Sequence, residues 1–423
     1  LACQGGEPIR SIAAMKSILV IGRGFVGAAS ALRLQQAGVQ TALIDPGDMR
    51  RAASWGNAGH LGLEQVTPWS AWENVLRAPR SSFAFGGPLD FRWRDAALIA
   101  PWVLRFLAAC DPRAVARGEA ALTDLLGDAM TAWTRLARDV GAPGLVLPHG
   151  HASVWTTEAA ADKGRAAAAR SRWGAATYRD LDAGELARYA RIMKQPPRAG
   201  LMFSGTGQVS NPQSAREAIL AAFVSAGGEI VADKAARVEA DGRVALASGT
   251  ERKADGVLIA AGAWSGALMA QLGHRAPLIG ERGYSLQSGE TDWPRDLPTT
   301  IFEEFFLVFT RFSSGLRATS CIEFGAPDAP ADARKWRLMQ RRIGELGVKF
   351  SGQPDRWVGP RPTLPDYVPA IGRLKRAPKV LYAFGHAHLG LTMCAINAEL
   401  VAALASGREA AIEMAPYAIE RFG

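Results

Sequence analysis

The chain has 423 residues, 48% of them hydrophobic, and a formal net charge of +9. One core seldom grows to serve that length, so about two domains are expected. The basic excess eases contact with anionic substrates, acidic lipid or nucleic acid, but Lys and Arg are scattered and choose none of them. Cys3, Cys110, Cys321 and Cys394 lie far apart without CxxC spacing, which argues against a disulfide framework or a cysteine zinc knot and fits a reducing cytoplasm.

Residues 1–14, LACQGGEPIRSIAA, have no apolar signal core, and Met15 is read as the natural start behind a non-native or disordered leader. Residues 17–22, SILVIG, form a short β-branched run; 25–36 turn helical and rich in Ala and Leu; 40–44, QTALI, are a second strand. That is a βαβ unit, the building block of a parallel sheet. From 69 to 110 the composition shifts to Trp, Phe, Pro and Arg and the periodicity becomes irregular, so this segment belongs to something other than the first sheet.

Helices are expected at 117–140, 162–172 and 214–225, and strands at 152–156, 229–232 and 256–261. Runs such as FFLVFTRF and LRATSCIEF make 284–324 antiparallel strands, and 335–346 an amphipathic helix. Four prolines mark 360–369 as a loop, followed by a strand at 380–384 and a helix at 391–405. The stretch 256–273 carries no charge, yet its glycines, Ser265 and Gln271 make it strand, turn and helix rather than a membrane span. The two kinds of element alternate, so the two domains are expected to interleave.

Gly22-Arg23-Gly24-Phe25-Val26-Gly27 is a G-x-G-x-x-G between a strand and a helix, with Asp45 eighteen residues past the last glycine. The first glycine permits the tight turn, the second lets a pyrophosphate approach the backbone, the third packs helix on strand, and Asp45 accepts from a ribose hydroxyl. The helix amino end supplies free N–H groups and partial positive charge. Either NAD or FAD satisfies this motif.

Ser54-Trp55-Gly56-Asn57-Ala58-Gly59-His60 resembles the S-x-x-N-A-G segment of FAD-dependent D-amino acid dehydrogenases, in the D-amino acid oxidase and glycine oxidase superfamily. The likeness continues through Gly207-Gln208-Val209 with Asn211-Pro212, through 227–238, and through DGVLIAAGAWS at 255–265. It is fullest in Trp357-Val358-Gly359-Pro360-Arg361-Pro362, Pro365-Asp366, Pro369-Ala370-Ile371-Gly372 and FGHAHLGLTM at 384–393.

The resemblance implies an α/β fold: a Rossmann-like FAD-binding domain at 15–75, 207–275 and 357–423, interleaved with a substrate domain on a mainly antiparallel sheet at 76–206 and 276–356. It implies non-covalent FAD held by Gly22, Gly24, Phe25, Val26, Gly27, Asp45, Pro46, Ser54, Asn57, Ala58 and Gly59 from the first segment. Val238, Ala261, Gly262, Trp264, Arg361, Gly385, His386, Leu389, Gly390, Leu391 and Thr392 complete the set. The activity implied is hydride transfer from the α carbon of an amino acid, most of all a D-amino acid, to the flavin, then hydrolysis to a 2-oxo acid and ammonia.

Arg361 is the expected ligand of the substrate carboxylate, because an Arg fork matches a carboxylate bidentately. Tyr284, in ERGYS, resembles the family's substrate-facing tyrosine, and His60 and His388 depart from its usual residues beside the flavin, as Leu391 does. A quinone or oxygen would remove the electrons. A glycine- or sarcosine-type oxidase, or an enzyme of cyclic secondary amines, is the alternative, and an RNA-modifying flavoprotein a remoter one; no added RNA-binding domain is visible and no nucleic-acid partner is expected. The tryptophan-rich 69–107 leaves peripheral contact with the inner face of a membrane open. Two H-x-H pairs, His149/His151 and His386/His388, offer imidazoles to zinc, but nothing joins them in sequence, and no metal is expected.

Overall fold

The computed structural model describes residues 14–423, so the expected leader lies outside the described residues except for Ala14. Strand Ser17–Ile21, helix Phe25–Gln36 and strand Gln40–Ile44 form where the pattern places them. They begin a six-stranded sheet in the order Glu229–Val231, Gln40–Ile44, Ser17–Ile21, Gly256–Ile259, Val380–Phe384, Ala370–Arg373. All neighbours are parallel except the last pair.

Both faces of this sheet are covered, which is why its strands read as continuous apolar runs. Ile18, Val20, Leu43, Leu258 and Leu381 pack into a core with helices Phe25–Gln36, Pro212–Ser225 and Gly390–Ala405. Leu19, Ile21, Ile44, Val257 and Ile259 face the other way, toward Val238, Val244 and Leu268 of a small three-stranded sheet and the Ser265–Gln271 helix. Helix Gly390–Ala405 belongs to a stretch long and apolar enough to cross a membrane, but 78% of that stretch is buried in the first core.

The second layer is a nine-stranded sheet. Its main path runs Asp355–Thr363, Ile279–Ser288, Gly315–Gly325, Leu307–Phe312, Thr299–Phe302, His151–Trp155, Ala199–Ser204, Thr177–Asp180, with Leu89–Phe91 added beside Gly315–Gly325. Pairing is antiparallel except at Thr299–Phe302 with His151–Trp155 and at Leu89–Phe91. The parallel sheet draws its strands from 17–44, 229–259 and 370–384 and the larger sheet from 89–204 and 279–363, so the chain passes between the two layers repeatedly.

Several expectations differ from the structure. The proline-rich 360–369 is not all loop: Pro360 and Pro362 lie in strand Asp355–Thr363, opposite Arg282 and Gly280. That strand is at the sheet edge, and prolines two residues apart place their missing N–H on the unpaired side. The chain therefore leaves the large sheet after Thr363, not at 357. The helix expected at 117–140 is two, Pro112–Gly127 and Ala129–Asp139. Although they fall within 76–206, Leu122, Leu125, Trp133 and Leu136 join the core of the parallel layer, and the Trp133 indole N–H donates to the Leu391 carbonyl at 2.8 Å.

Beneath the large sheet, Lys335 is fully buried, its Nζ 2.6 Å from Asp90, 2.6 Å from Glu323 and 3.3 Å from Asp332. Burial alone would lower its pKa, but the Asp90 and Glu323 carboxylates outweigh that and raise it. Arg282 also pairs with Glu323. Removing one member of such a cluster leaves uncompensated buried charge. Lys335→Met is expected to lower the unfolding free energy by about 3–5 kcal/mol, read as a shift of the urea midpoint.

Candidate active site

A cavity of about 640 Å³ runs between the layers from the glycine turn to Arg361, within the range of small-molecule and cofactor sites. The turn is built by exclusion of side chains. Gly22 has φ +108°, and a Cβ there would lie 2.4 Å from the Ala260 carbonyl oxygen; one on Gly27 would lie 1.8 Å from the Gly22 carbonyl oxygen. Helix Phe25–Gln36 has no side-chain cap from Gly24 and no acidic residue in its first turn. Its first N–H, on Phe25, donates to Ser54 Oγ at 3.1 Å.

Asp45 is fixed at the tip of its strand, accepting from the Arg23 N–H at 2.9 Å and the Gly47 N–H at 2.8 Å. A carboxylate so held beside a glycine turn is placed to receive a ribose hydroxyl. Farther along, helix Gly390–Ala405 likewise starts with no side-chain cap and no acidic residue in its first turn, and Gly390 and Leu391 face the cavity. These features fit a dinucleotide with its pyrophosphate on the first helix and a polarisable ring at the second.

At the far end Arg361 lines the cavity, one guanidinium N–H donating to Glu281 at 3.0 Å. A Cβ on Gly283 would come within 2.3 Å of Arg361 Nη2, so this glycine lets the guanidinium lie flat across the strand. Glu281 also accepts from Thr363 Oγ1 at 3.1 Å and from the Tyr367 hydroxyl at 3.2 Å. One donor of the Arg fork is thus spent, and the remainder of the fork is free to meet an anion in the cavity.

Sixteen of the residues expected to hold cofactor line the cavity: Gly22, Gly24, Phe25, Val26, Asp45, Pro46, Ser54, Asn57, Ala58, Ala261, Gly262, Trp264, Arg361, His386, Gly390 and Leu391. The others stand behind it. Gly27 packs on Gly22, and Gly59 closes on the Phe312 ring. Gly385, with φ +81°, leaves no room for a Cβ beside Leu364. Val238 and Leu389 are core residues, the Val238 N–H is taken by Gln271 at 2.9 Å, and Thr392 Oγ1 accepts from the Gly62 N–H at 3.1 Å.

Of the expected catalytic groups, Arg361, His388 and Tyr284 line the cavity and His60 does not. Tyr284 touches its wall, but its hydroxyl donates to Glu323 at 3.2 Å and accepts from the Asp332 N–H at 3.0 Å. Gly283 and Tyr284 both contribute to the wall, but the Tyr284 hydroxyl is engaged by the buried ion cluster beneath the sheet. His60 lies off the cavity, its Nδ1 3.1 Å from the Gly207 carbonyl and its Nε2 3.2 Å from Glu64. His388 does line it. Sequence reasoning passed over Gly56, whose Cβ would collide with Trp357 at 1.9 Å; the signal was its place inside the S-x-x-N-A-G segment.

The two H-x-H pairs do not converge. Among the described residues, the groups close enough to share an ion are His60–Glu64–His151 and Asp90–Glu323–Asp332. The second is filled by the Lys335 ammonium, and in the first His60 and Glu64 are hydrogen-bonded to each other. His386 instead orders the turn before the second helix, its Nε2 3.3 Å from Asn397 Oδ1.

A glycine turn under a helix start, an acid at the next strand tip and a cavity ending on an arginine define a dinucleotide-dependent oxidoreductase. The chain belongs to the FAD dependent oxidoreductase family (DAO), whose model matches residues 17–404, and FAD is its cofactor. It is 29% identical to a D-amino-acid oxidase of Bradyrhizobium diazoefficiens over 96% of this chain and 99% of that one. A D-amino acid dehydrogenase of Cereibacter sphaeroides is also 29% identical, over 96% and 95%. The fold matches glycine oxidase from Geobacillus kaustophilus at TM-score 0.69 and 20% identity, over 95% of this chain and 97% of that one. Iminodiacetate oxidase from Chelativorans matches at TM-score 0.70 and 18% identity, over 95% and 98%.

Burial holds the His151 imidazole down at about 3, with the charge of His60 adding to it, and burial holds His386 down at about 4. Both are neutral when folded and bind a proton more readily when unfolded, so stability rises with pH where ν_U exceeds ν_N. The stability is whole above about pH 6.5 and is lost as pH falls toward the folded values. Unfolding free energies from urea titrations at pH 7, 6 and 5 are expected to drop progressively, by at most about 1.4 kcal/mol per pH unit for each imidazole.

Proposed function

We propose that the protein oxidises a free amino acid, and that a D-amino acid is its substrate. The observation that carries this is Arg361: a cavity-lining guanidinium with one donor spent on Glu281, laid flat by Gly283, is a carboxylate receptor at the end of the cavity away from Asp45. The D-amino-acid oxidase and dehydrogenases among its relatives support the same reading. FAD, held by the glycine turn, Asp45, Ser54 and the starts of both helices, supplies the hydride acceptor when bound. Arg361 fixes the carboxylate, which orients the α carbon; loss of hydride gives an imino acid, and water converts it to a 2-oxo acid and ammonia.

A secondary-amine substrate is the second reading, favoured by the fold shared with glycine and iminodiacetate oxidases. We assign electron transfer to a quinone or to oxygen. Exposed Trp72, Leu76, Phe85, Trp93 and Leu104 support peripheral contact with a membrane surface from the cytoplasmic side, and liposome sedimentation is expected to retain the protein and to release a variant with Trp93 and Phe85 changed to serine.

Anaerobic mixing with a panel of D-, L- and secondary amino acids is expected to bleach the flavin with D-amino acids most rapidly. No bleaching with any of them overturns the amino acid reading. Arg361→Ala is expected to keep FAD and to lose about 2–4 kcal/mol of transition-state stabilisation, since it deletes a charge-assisted bidentate contact, seen as a fall in kcat/KM.

A further inference from the structure

We propose that His388 is the base that takes a proton from the substrate ammonium, with its Nδ1 lone pair held toward the cavity by the chain Gln65–Glu64–His60. The proposal rests on the amino acid reading above. An amino acid arrives as an ammonium ion, and the nitrogen needs a free electron pair to form C=N as hydride leaves the α carbon. A neutral imidazole facing the amine meets that need.

The tautomer follows from the order of donors and acceptors. An ionised carboxylate only accepts, so the Gln65 amide turns its NH2 to Glu64, Nε2 to Oε1 at 3.1 Å. This leaves Gln65 Oε1, also an acceptor only, against His388 Nε2. The hydrogen of a neutral His388 therefore sits on Nε2 and the lone pair on Nδ1. Nδ1 makes no hydrogen bond among the described residues and is not one of the sealed unpartnered atoms, while His388 itself lines the cavity.

The anchor of the chain is equally constrained. Both ring nitrogens of His60 face acceptors, the Gly207 carbonyl and Glu64 Oε1. Burial raises the pKa of Glu64, but the charge and hydrogen bond of His60 overcome this and hold it at about 2, which keeps Glu64 an acceptor throughout the working range. The charged groups facing His388 are Glu281 and Arg361 from the large sheet and Glu64 and His60 from the first segment. Each acid is hydrogen-bonded to its basic neighbour, so their fields largely cancel. Burial then lowers the pKa of His388, and the Trp69 ring packs edge-on against it, 5.7 Å between ring centres. In the step, a nitrogen–hydrogen bond of the ammonium breaks and Nδ1–H forms; no electrons leave the protein, and the proton departs to solvent or with the ammonia.

His388→Gln keeps a side-chain amide for Gln65 but removes Nδ1. In the holoenzyme its rate constant for flavin reduction at neutral pH is expected to fall by about 10²–10⁴, to rise tenfold per pH unit toward the titration of the substrate amine itself, and to recover partly with added imidazole, while FAD content is unchanged. A His388→Gln enzyme with the wild-type rate and pH profile overturns the proposal. Wild-type flavin that no amino acid reduces overturns the amino acid reading and the proposal with it, so the two failures are told apart by the wild-type control. Nitrogen NMR of histidine-labelled holoenzyme gives an activity-free readout: His388 protonated at Nε2 supports the assignment, and protonated at Nδ1 refutes it. In Gln65→Leu the Nε2 preference is expected to be lost.

Discussion

The structure depends on the contact between two glycines. Where the first strand turns into the first helix, the Gly22 carbonyl lies so close under Gly27 that any Cβ would overlap it. This contact seats helix Phe25–Gln36 directly on the sheet and points its first N–H groups past the strand end, where only the Phe25 N–H meets a side chain, Ser54. That amino terminus favours negative charge beside the glycine turn. Asp45, Ser54 and the Gly262 turn gather around it because the neighbouring strands end at the same level.

The large sheet meets this layer along its proline-bearing edge strand. Asp355–Thr363 has a strand neighbour on one side only; its other side, where prolines remove N–H donors, carries a single bridge from Thr363 to His386. Arg361 projects from that edge, held by Glu281 on the adjacent strand. Rigid strands thus set the distance between the anion-receptive helix and the guanidinium, and neither depends on a mobile loop for its position.

How much of this was legible depends on the range of the interactions involved. The βαβ unit, the glycine turn and Asp45 were read residue by residue, because their logic is local: apolar runs, a helical switch and side chains too large to fit. Pro360 and Pro362 misled, because a proline says that an N–H is absent but not whether the strand needed one there. Family likeness points to Tyr284 and His60; Tyr284 does reach the cavity wall, though Glu323 takes its hydroxyl, and His60 stands off the cavity on Glu64. The pairing of His388 with Gln65, 323 residues apart, leaves no mark in sequence, since neither residue type announces the other.

The interleaved path also governs how the polypeptide can be made. The central strand of the parallel sheet, Gly256–Ile259, is flanked on one side by Ser17–Ile21 and on the other by Val380–Phe384. On a ribosome Ser17–Ile21 can pair with Gln40–Ile44 early, but its other partner Gly256–Ile259 emerges far later, and the sheet cannot close until Val380–Phe384 has been synthesised as well. Such non-local pairing makes for slow acquisition of the native state and long exposure of apolar strand surface. The burden this topology places on the growing chain is apolar strand surface left uncovered until its partners are made.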